Sequence, residues 1–290
     1  MTMAGIPQIP TDLKKYIDAT FYAYLPKVKK MRTLFAEQTV DPTQITNVYG
    51  RMTQSYAEAT GYSGFASGVQ TLADGAAPQI DDFGTEDGTS TQATISLGFR
   101  ADRKLLISGL EFQKAYFARK SLELLNSIEN SINVTLAANL ASNAGQSYTA
   151  TGGTWATTGD PVVDVNDAKN SFIKRSGGIP ADFVAIHPDN FTDISNDYRF
   201  QNTLYSRGGD VLDKGTLTPK PMGLDWVVDT AVTKGTFFLG KRGMFGRMLI
   251  SENYKVYEQD FGAVGKTFSA VFSYVDQYML PYYVMYGTGI

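Results

Sequence analysis

The stretch from Ala93 to Ala144 constrains this chain most, because an unusually long strand pattern runs almost directly into an unusually long helix pattern. Ala93, Ile95, Leu97, Phe99, Ala101, Leu105 and Ile107 alternate with Thr94, Ser96, Arg100, Asp102, Lys104 and Ser108, a period of two broken only at Arg103 and Leu106. At about 3.3 Å per residue such a strand would reach about 50 Å, well beyond the usual globular range of roughly 3–10 residues. From Glu111 the period becomes helical. Phe117, Leu124, Ile128, Ile132, Leu136 and Leu140 share one stripe with Leu125 beside it, while Lys114, Arg119, Glu123 and Glu129 are read as lying elsewhere. That helix would also be about 50 Å long at about 1.5 Å per residue.

A compact chain of 290 residues has an expected radius of gyration of about 19 Å, so either element alone would cross the whole globule. The expected body is therefore flat or extended. Such a plate cannot cover all its own apolar surface, and neighbouring copies of itself are the natural remedy.

Composition narrows the function. With 43% hydrophobic and 19% charged residues the chain is globular, and its 17 Tyr suit surfaces half buried against a partner as well as an aromatic core. A net charge of −3 and a pI near 5.3 argue against coating nucleic acid by bulk charge neutralisation, so any such contact is local. No segment is apolar enough to span a membrane, and MTMAGIPQIPTDLKK lacks the apolar centre of a signal peptide, which gives a cytosolic site of synthesis as the expectation. Zero Cys removes disulfides, thiolate metal sites and cysteine nucleophiles together.

Along the chain, residues 1–49 read as an arm. Tyr16, Ile17, Phe21 and Leu25 mark a short helix that Pro26 should break, followed by the basic cluster Lys27, Lys29, Lys30 and Arg32. Between Met52 and Phe99 there is no Lys or Arg, whereas Glu58, Asp74, Asp81, Asp82, Glu86 and Asp87 are all acidic. Within this tract Ala73 to Ser90 reads as a Gly-, Asp- and Thr-rich loop tip joining two strands of a long hairpin. One reading is a solvated loop. The other is an acidic finger laid on a basic patch of the next subunit, with Lys27, Lys29, Lys30 and Arg32, or Arg100, Arg103 and Lys104, as acceptors.

After a Gly/Thr-rich connector (Asn143 to Gly159), Val162 to Gly262 alternates short helices and strands. Strands are expected at Phe183 to Ile186, Trp226 to Val228, Thr236 to Leu239, Met248 to Ile250 and Tyr254 to Tyr257. Lys266 to Met279 alternates again, and this second long strand can pair with the first half of the chain. Pro281 interrupts it before a final strand, Tyr282 to Tyr286.

Catalytic signatures fail on inspection. Gly235 to Lys241 matches most of a phosphate-binding loop, but Arg242 stands where a Ser or Thr should bind magnesium and Phe237, Phe238 and Leu239 are strand-like. His187, the only histidine, precedes Pro188 at a helix start and has no nucleophile elbow beside it; Gly61-Tyr-Ser-Gly-Phe65 fails at its last position. The pairs Asp81 with Asp82 and Glu86 with Asp87 sit in a polar loop, where fixed separation and raised pKa values are hard to achieve. No catalytic residue, cofactor or metal site is expected, and the chain is read as a non-enzyme.

The order of segments as a whole resembles the major capsid proteins of tailed double-stranded DNA viruses, the HK97-like fold, an α+β architecture. Gly178-Ile-Pro-Ala-Asp-Phe-Val-Ala-Ile-His-Pro188, Pro221-Met-Gly-Leu-Asp-Trp-Val-Val228 and GTFFLGKRGMFG (Gly235 to Gly246) are similar to family segments, with Lys241 replacing the common acidic residue of the last turn. The resemblance implies an N-terminal arm (1–49), a first part of the P-domain (50–65), an extended hairpin or E-loop (66–108) and a P-domain with a spine helix (109–161). An A-domain (162–262), a long P-domain strand (263–280) and a C-terminal strand returning to the A-domain (281–290) complete it. It implies self-assembly through hexamers and pentamers into an icosahedral shell around double-stranded DNA contacted weakly and non-specifically, with a separate scaffolding protein, a portal and a decoration protein as further partners. The location implied is the virion capsid, assembled in the host cytoplasm, with no membrane. An encapsulin-like compartment, similar in fold, is the nearest alternative; a soluble α/β enzyme or carbohydrate-binding protein is the second.

Overall fold

A computed structural model of the chain describes residues 13–42, 47–52, 85–106, 110–197, 199–200, 221–261 and 265–290. Helix α1 (Leu13–Val28) is followed by a 3-10 turn (Met31–Leu34) and strand β1 (Ala36–Thr39). Strands β2 (Val48–Met52), β3 (Thr85–Thr89) and β4 (Ala93–Asp102) lead through a single turn, α2 (Arg103–Leu106), into the long helix α3 (Leu110–Asn143). Then come β5 (Gln146–Thr149), α4 (Pro161–Arg175), β6 (Phe183–Ile186), α5 (Pro188–Ser195), β7 (Asp225–Val228) and β8 (Thr236–Gly240). The chain closes with β9 (Arg247–Asp260), β10 (Gly265–Gln277) and β11 (Val284–Thr288).

Among the described residues the strands form three sheets. Four long or edge-added strands run in the order β1-β9-β10-β4, five short ones in the order β5-β11-β8-β6-β7, and β2 pairs with β3 alone. The expected pairing of the C-terminal long strand with the first half of the chain is present: β10 lies antiparallel to β4, from Gly265 opposite Asp102 to Tyr274 opposite Ala93.

Helix α3 has 34 residues, about 50 Å at about 1.5 Å per residue. Its whole apolar stripe is buried, from Phe117 through Leu124, Leu125, Ile128, Ile132 and Leu136 to Leu140. Near its N-terminal end Phe117 meets Phe99 of β4 at 5.8 Å and Phe268 of β10 at 5.3 Å between ring centroids, which fastens the helix to the four-stranded sheet. Each such buried ring contributes on the order of 2–3 kcal/mol relative to exposure.

Several expectations need correction. The strand expected over Ala93 to Ser108 ends at Asp102, where the pattern first stumbles, and α2 takes the next four residues. Strand β4 pairs with β10 and so belongs to the four-stranded sheet, while Glu86 and Asp87 of the acidic tract lie in β3, paired with β2. Met248–Ile250 and Tyr254–Tyr257 are one strand, β9, in that same sheet; a register shift against Val271–Tyr274 and a positive φ of 50° at Tyr254 hide its continuity. Pro26 is accommodated within the last turn of α1, where Lys29 N still donates to Leu25 O at 3.0 Å.

The loop resembling a phosphate site is strand β8, buried throughout. Beyond it Lys241 Nζ lies 3.1 Å from Asp182 Oδ2 and Arg242 N donates to Asp182 Oδ1 at 2.8 Å, so one carboxylate organises the turn. His187 caps α5, its Nδ1 accepting from Asp189 N at 3.1 Å. Gly61 to Phe65 lies outside the described residues.

Candidate assembly interface

The two basic clusters and the acidic tract were the residues expected to meet across subunits. Asp74, Asp81 and Asp82 lie outside the described residues. Glu86 and Asp87 do not sit in a loop tip but in β3, opposite Arg51 and Gly50 of β2, and Asp87 is exposed. Val48 and Tyr49 on β2 and Thr85 and Thr89 at the ends of β3 favour that ladder, while Gly50, Glu86, Asp87 and Gly88 do not, which is why it escaped a sequence reading.

The first basic cluster is mostly engaged within its own subunit. Arg32 is 1% exposed; its guanidinium pairs with Glu129, also 1% exposed, and Nε donates to Glu37 Oε1 at 3.0 Å. Lys29 pairs with Glu37, and Lys30 Nζ donates to Val228 O at 2.9 Å, at the end of β7. Lys27 is exposed, its ammonium 5.1 Å from the ring centre of Tyr24. Arg32 is therefore withdrawn from the set of surface acceptors: the core holds it.

The second cluster is open. Arg100 is exposed and, among the described residues, its one ion pair is a surface pair with Asp102 at 3.2 Å, and Arg103 and Lys104 are both exposed on the turn α2. A pair of this kind adds little to stability, so Arg100 remains available to a stronger acceptor.

Sequence reasoning missed the node that anchors the arm. Tyr254 OH donates to the same Glu129 oxygen that Arg32 engages, and Arg32 lies 4.3 Å above the Phe272 ring. Burial first, and then the Glu129 charge, push the Tyr254 phenol far above its ordinary value, so it stays protonated as a donor. Burial alone would lower the Arg32 pKa, but the carboxylates of Glu129 and Glu37 outweigh it and raise it. One turn along α3, Asn133 accepts from Met31 N at 3.2 Å and donates to Asp229 Oδ2 at 3.0 Å. The arm, the long helix and the edge of the five-stranded sheet thus meet at one polar joint. A signal existed: Glu129 is four residues after Leu125 and three before Ile132, on the stripe and not off it.

A long helix clasped by an N-terminal segment, laid on a sheet of long strands and followed by a compact α/β region, is the framework on which these clusters sit. A family model described as phage capsid protein matches residues 85–275, about two thirds of the chain. The chain belongs to the phage capsid protein family. Its α+β fold is HK97-like, and its role is structural, as a major capsid protein of the virion. This capsid protein is similar in structure to the capsid of Cyanophage P-SCSP1u (TM-score 0.59, 11% identity, covering 90% of this chain and 88% of that one). It is also similar to a phage-related protein from Bordetella bronchiseptica RB50 (TM-score 0.58, 14% identity, 97% of each chain) and to a virus-like particle from Pyrococcus furiosus (TM-score 0.56, 11% identity, 95% and 97%). At such identities the likeness concerns the fold. No curated protein sequence matches. Among the described residues no helix is long and apolar enough to cross a membrane.

Proposed function

We propose that this capsid protein assembles through hexamers and pentamers into a closed icosahedral shell that encloses double-stranded DNA, contacted weakly and without sequence preference. The observation that carries the reading is the family match over the long strands and the spine helix, taken with a chain whose acidic tract and exposed cationic patch lie on separate elements. In this reading the tract containing Asp74, Asp81, Asp82, Glu86 and Asp87 crosses to a neighbouring subunit, where Arg100, Arg103 and Lys104 receive it. Lys27 is the exposed member of the other cluster, while Lys29 and Lys30 have partners in their own chain. Complementary charge sets register between copies more than it adds affinity, and many modest contacts sum to a stable container.

The same reading divides the chain into an arm, a P-domain built on α3 and the four-stranded sheet, and an A-domain. The sheet memberships support placing β9 with the P-domain and β5 and β11 with the A-domain. A separate scaffolding protein, a portal and a decoration protein are its further partners, with assembly in the host cytoplasm. The protein works by assembly and not by catalysis. Negative-stain microscopy of the purified protein tests this: closed shells are expected, whereas a small soluble oligomer at all concentrations would overturn it.

A further inference from the structure

We propose that the recess between α1 and β9 is the docking site of the chain's own residues 1–12, laid back along the helix as an extended strap. Lys14, Asp18 and Tyr22, spaced four apart on one side of α1, form one wall. Pro42 and the run Ser251 to Val256 of β9 form the other. Together they enclose about 490 Å³, within the range of roughly 300–1,000 Å³ typical of ligand clefts.

Two features of the recess point to an extended chain. Strand β1 covers β9 only as far as Ile250, where Val40 N donates to Ile250 O at 2.9 Å, and among the described residues no strand pairs with that edge from Ser251 onward. Its main-chain groups are therefore offered to an added segment. Tyr22 is also 67% exposed and shares the recess with Pro42, an aromatic wall of the kind that proline-rich segments pack against.

Charge and length select the occupant. Lys14 and Lys255 balance Asp18 and Glu252, so the recess favours neither sign. The acidic tract would bring its carboxylates against Asp18 and Glu252, whereas Met1 to Thr11 has no charged side chain. That segment contains Ile6-Pro7-Gln8-Ile9-Pro10, in which both Ile residues fall on one side of a polyproline II helix with its three residues per turn. Twelve such residues reach about 37 Å at about 3.1 Å each, ample for the roughly 12 Å from Lys14 to Tyr22 at about 1.5 Å per residue. The segment joins α1 at Leu13, next to the wall residue Lys14, so in the free subunit its effective concentration at the recess exceeds that of a second copy.

Because the chain has no Cys, a designed thiol pair tests the assignment without background. In the dilute, unassembled subunit Ile6→Cys with Asn253→Cys should oxidise to an intrachain disulfide, whereas Ile6→Cys with Ala156→Cys, on an exposed stretch before α4, should stay reduced. A dimer-sized linked product would give the recess to a second copy and overturn the proposal, as would no link at all or equal linking of the control pair. Separately, Ile6→Asp with Ile9→Asp should raise nitration of Tyr22 several-fold while leaving that of Tyr24, which does not line the recess, unchanged. Unchanged nitration of Tyr22, or a rise at both tyrosines, would refute the strap.

Discussion

Arg32 and Glu129, 97 positions apart, form an ion pair in which each side chain is only 1% exposed. The pair joins the N-terminal segment to the middle of the long helix, and Tyr254 from β9 closes it from the sheet side. Burying two charges is expensive even when they meet, so the arrangement earns its place by fixing where the arm docks.

Replacing Arg32 with Met should leave Glu129 charged, buried and without its cation, at a cost of about 3–5 kcal/mol. Changing Glu129 to Leu in the same chain should restore part of that loss, because two apolar side chains need no partner, although the buried Tyr254 hydroxyl then loses its acceptor. Urea denaturation of the single and double variants measures both effects. Equal stability of the single and double variants would refute the coupling.

Close main-chain approach makes Gly98 a second sensitive point. A Cβ there would lie 2.8 Å from Phe268 O, across the β4–β10 ladder. Gly98→Val should therefore destabilise by about 1–3 kcal/mol through forced backbone shifts. A lowered midpoint in chemical denaturation is the expected result.

Alkaline pH should loosen the same sheet. Burial first, and then the charge of Asp276, push the Tyr274 phenol up to about 12 from 10.0. A raised folded-state value means that the neutral form is favoured on folding, so the contribution is complete below pH 10.0 and is lost as pH climbs toward about 12. Melting temperature should fall across that window, and Tyr274→Phe should flatten the fall. A curve of unchanged steepness in the variant would contradict the assignment.

Removal of Thr71 to Gly84, which leaves the β2–β3 ladder intact, should give a folded subunit that no longer closes into shells. Thermal melting and electron micrographs read the two halves of that statement. Particles as abundant as those of the unaltered chain would exclude the acidic tract from assembly.

The sequence revealed what repeats locally. The stripe from Phe117 to Leu140 and the alternation in β10 each follow a period set by backbone geometry, and both elements fold as read. What escaped was non-local or irregular. Glu129 looks like one more surface carboxylate until Arg32 and Tyr254, 97 and 125 positions away, arrive beside it. Strand β9 looks like two strands because the left-handed backbone at Tyr254 breaks its alternation while turning that ring inward. The long strand was overextended because Leu105 and Ile107 continue the alternation past Asp102, where the chain turns into α2.

The four residues of β1 meet the body of the protein along a parallel seam with β9, yet none of them is buried. Amide and carbonyl groups carry that seam, and every residue but proline supplies both. Mutational drift can thus rewrite Ala36, Gln38 and Thr39 while the join survives, whereas Glu37 is tied to Arg32 and Lys29, so lineages of this shell compared by residue identity alone would see one acidic position and no hint of the strand around it.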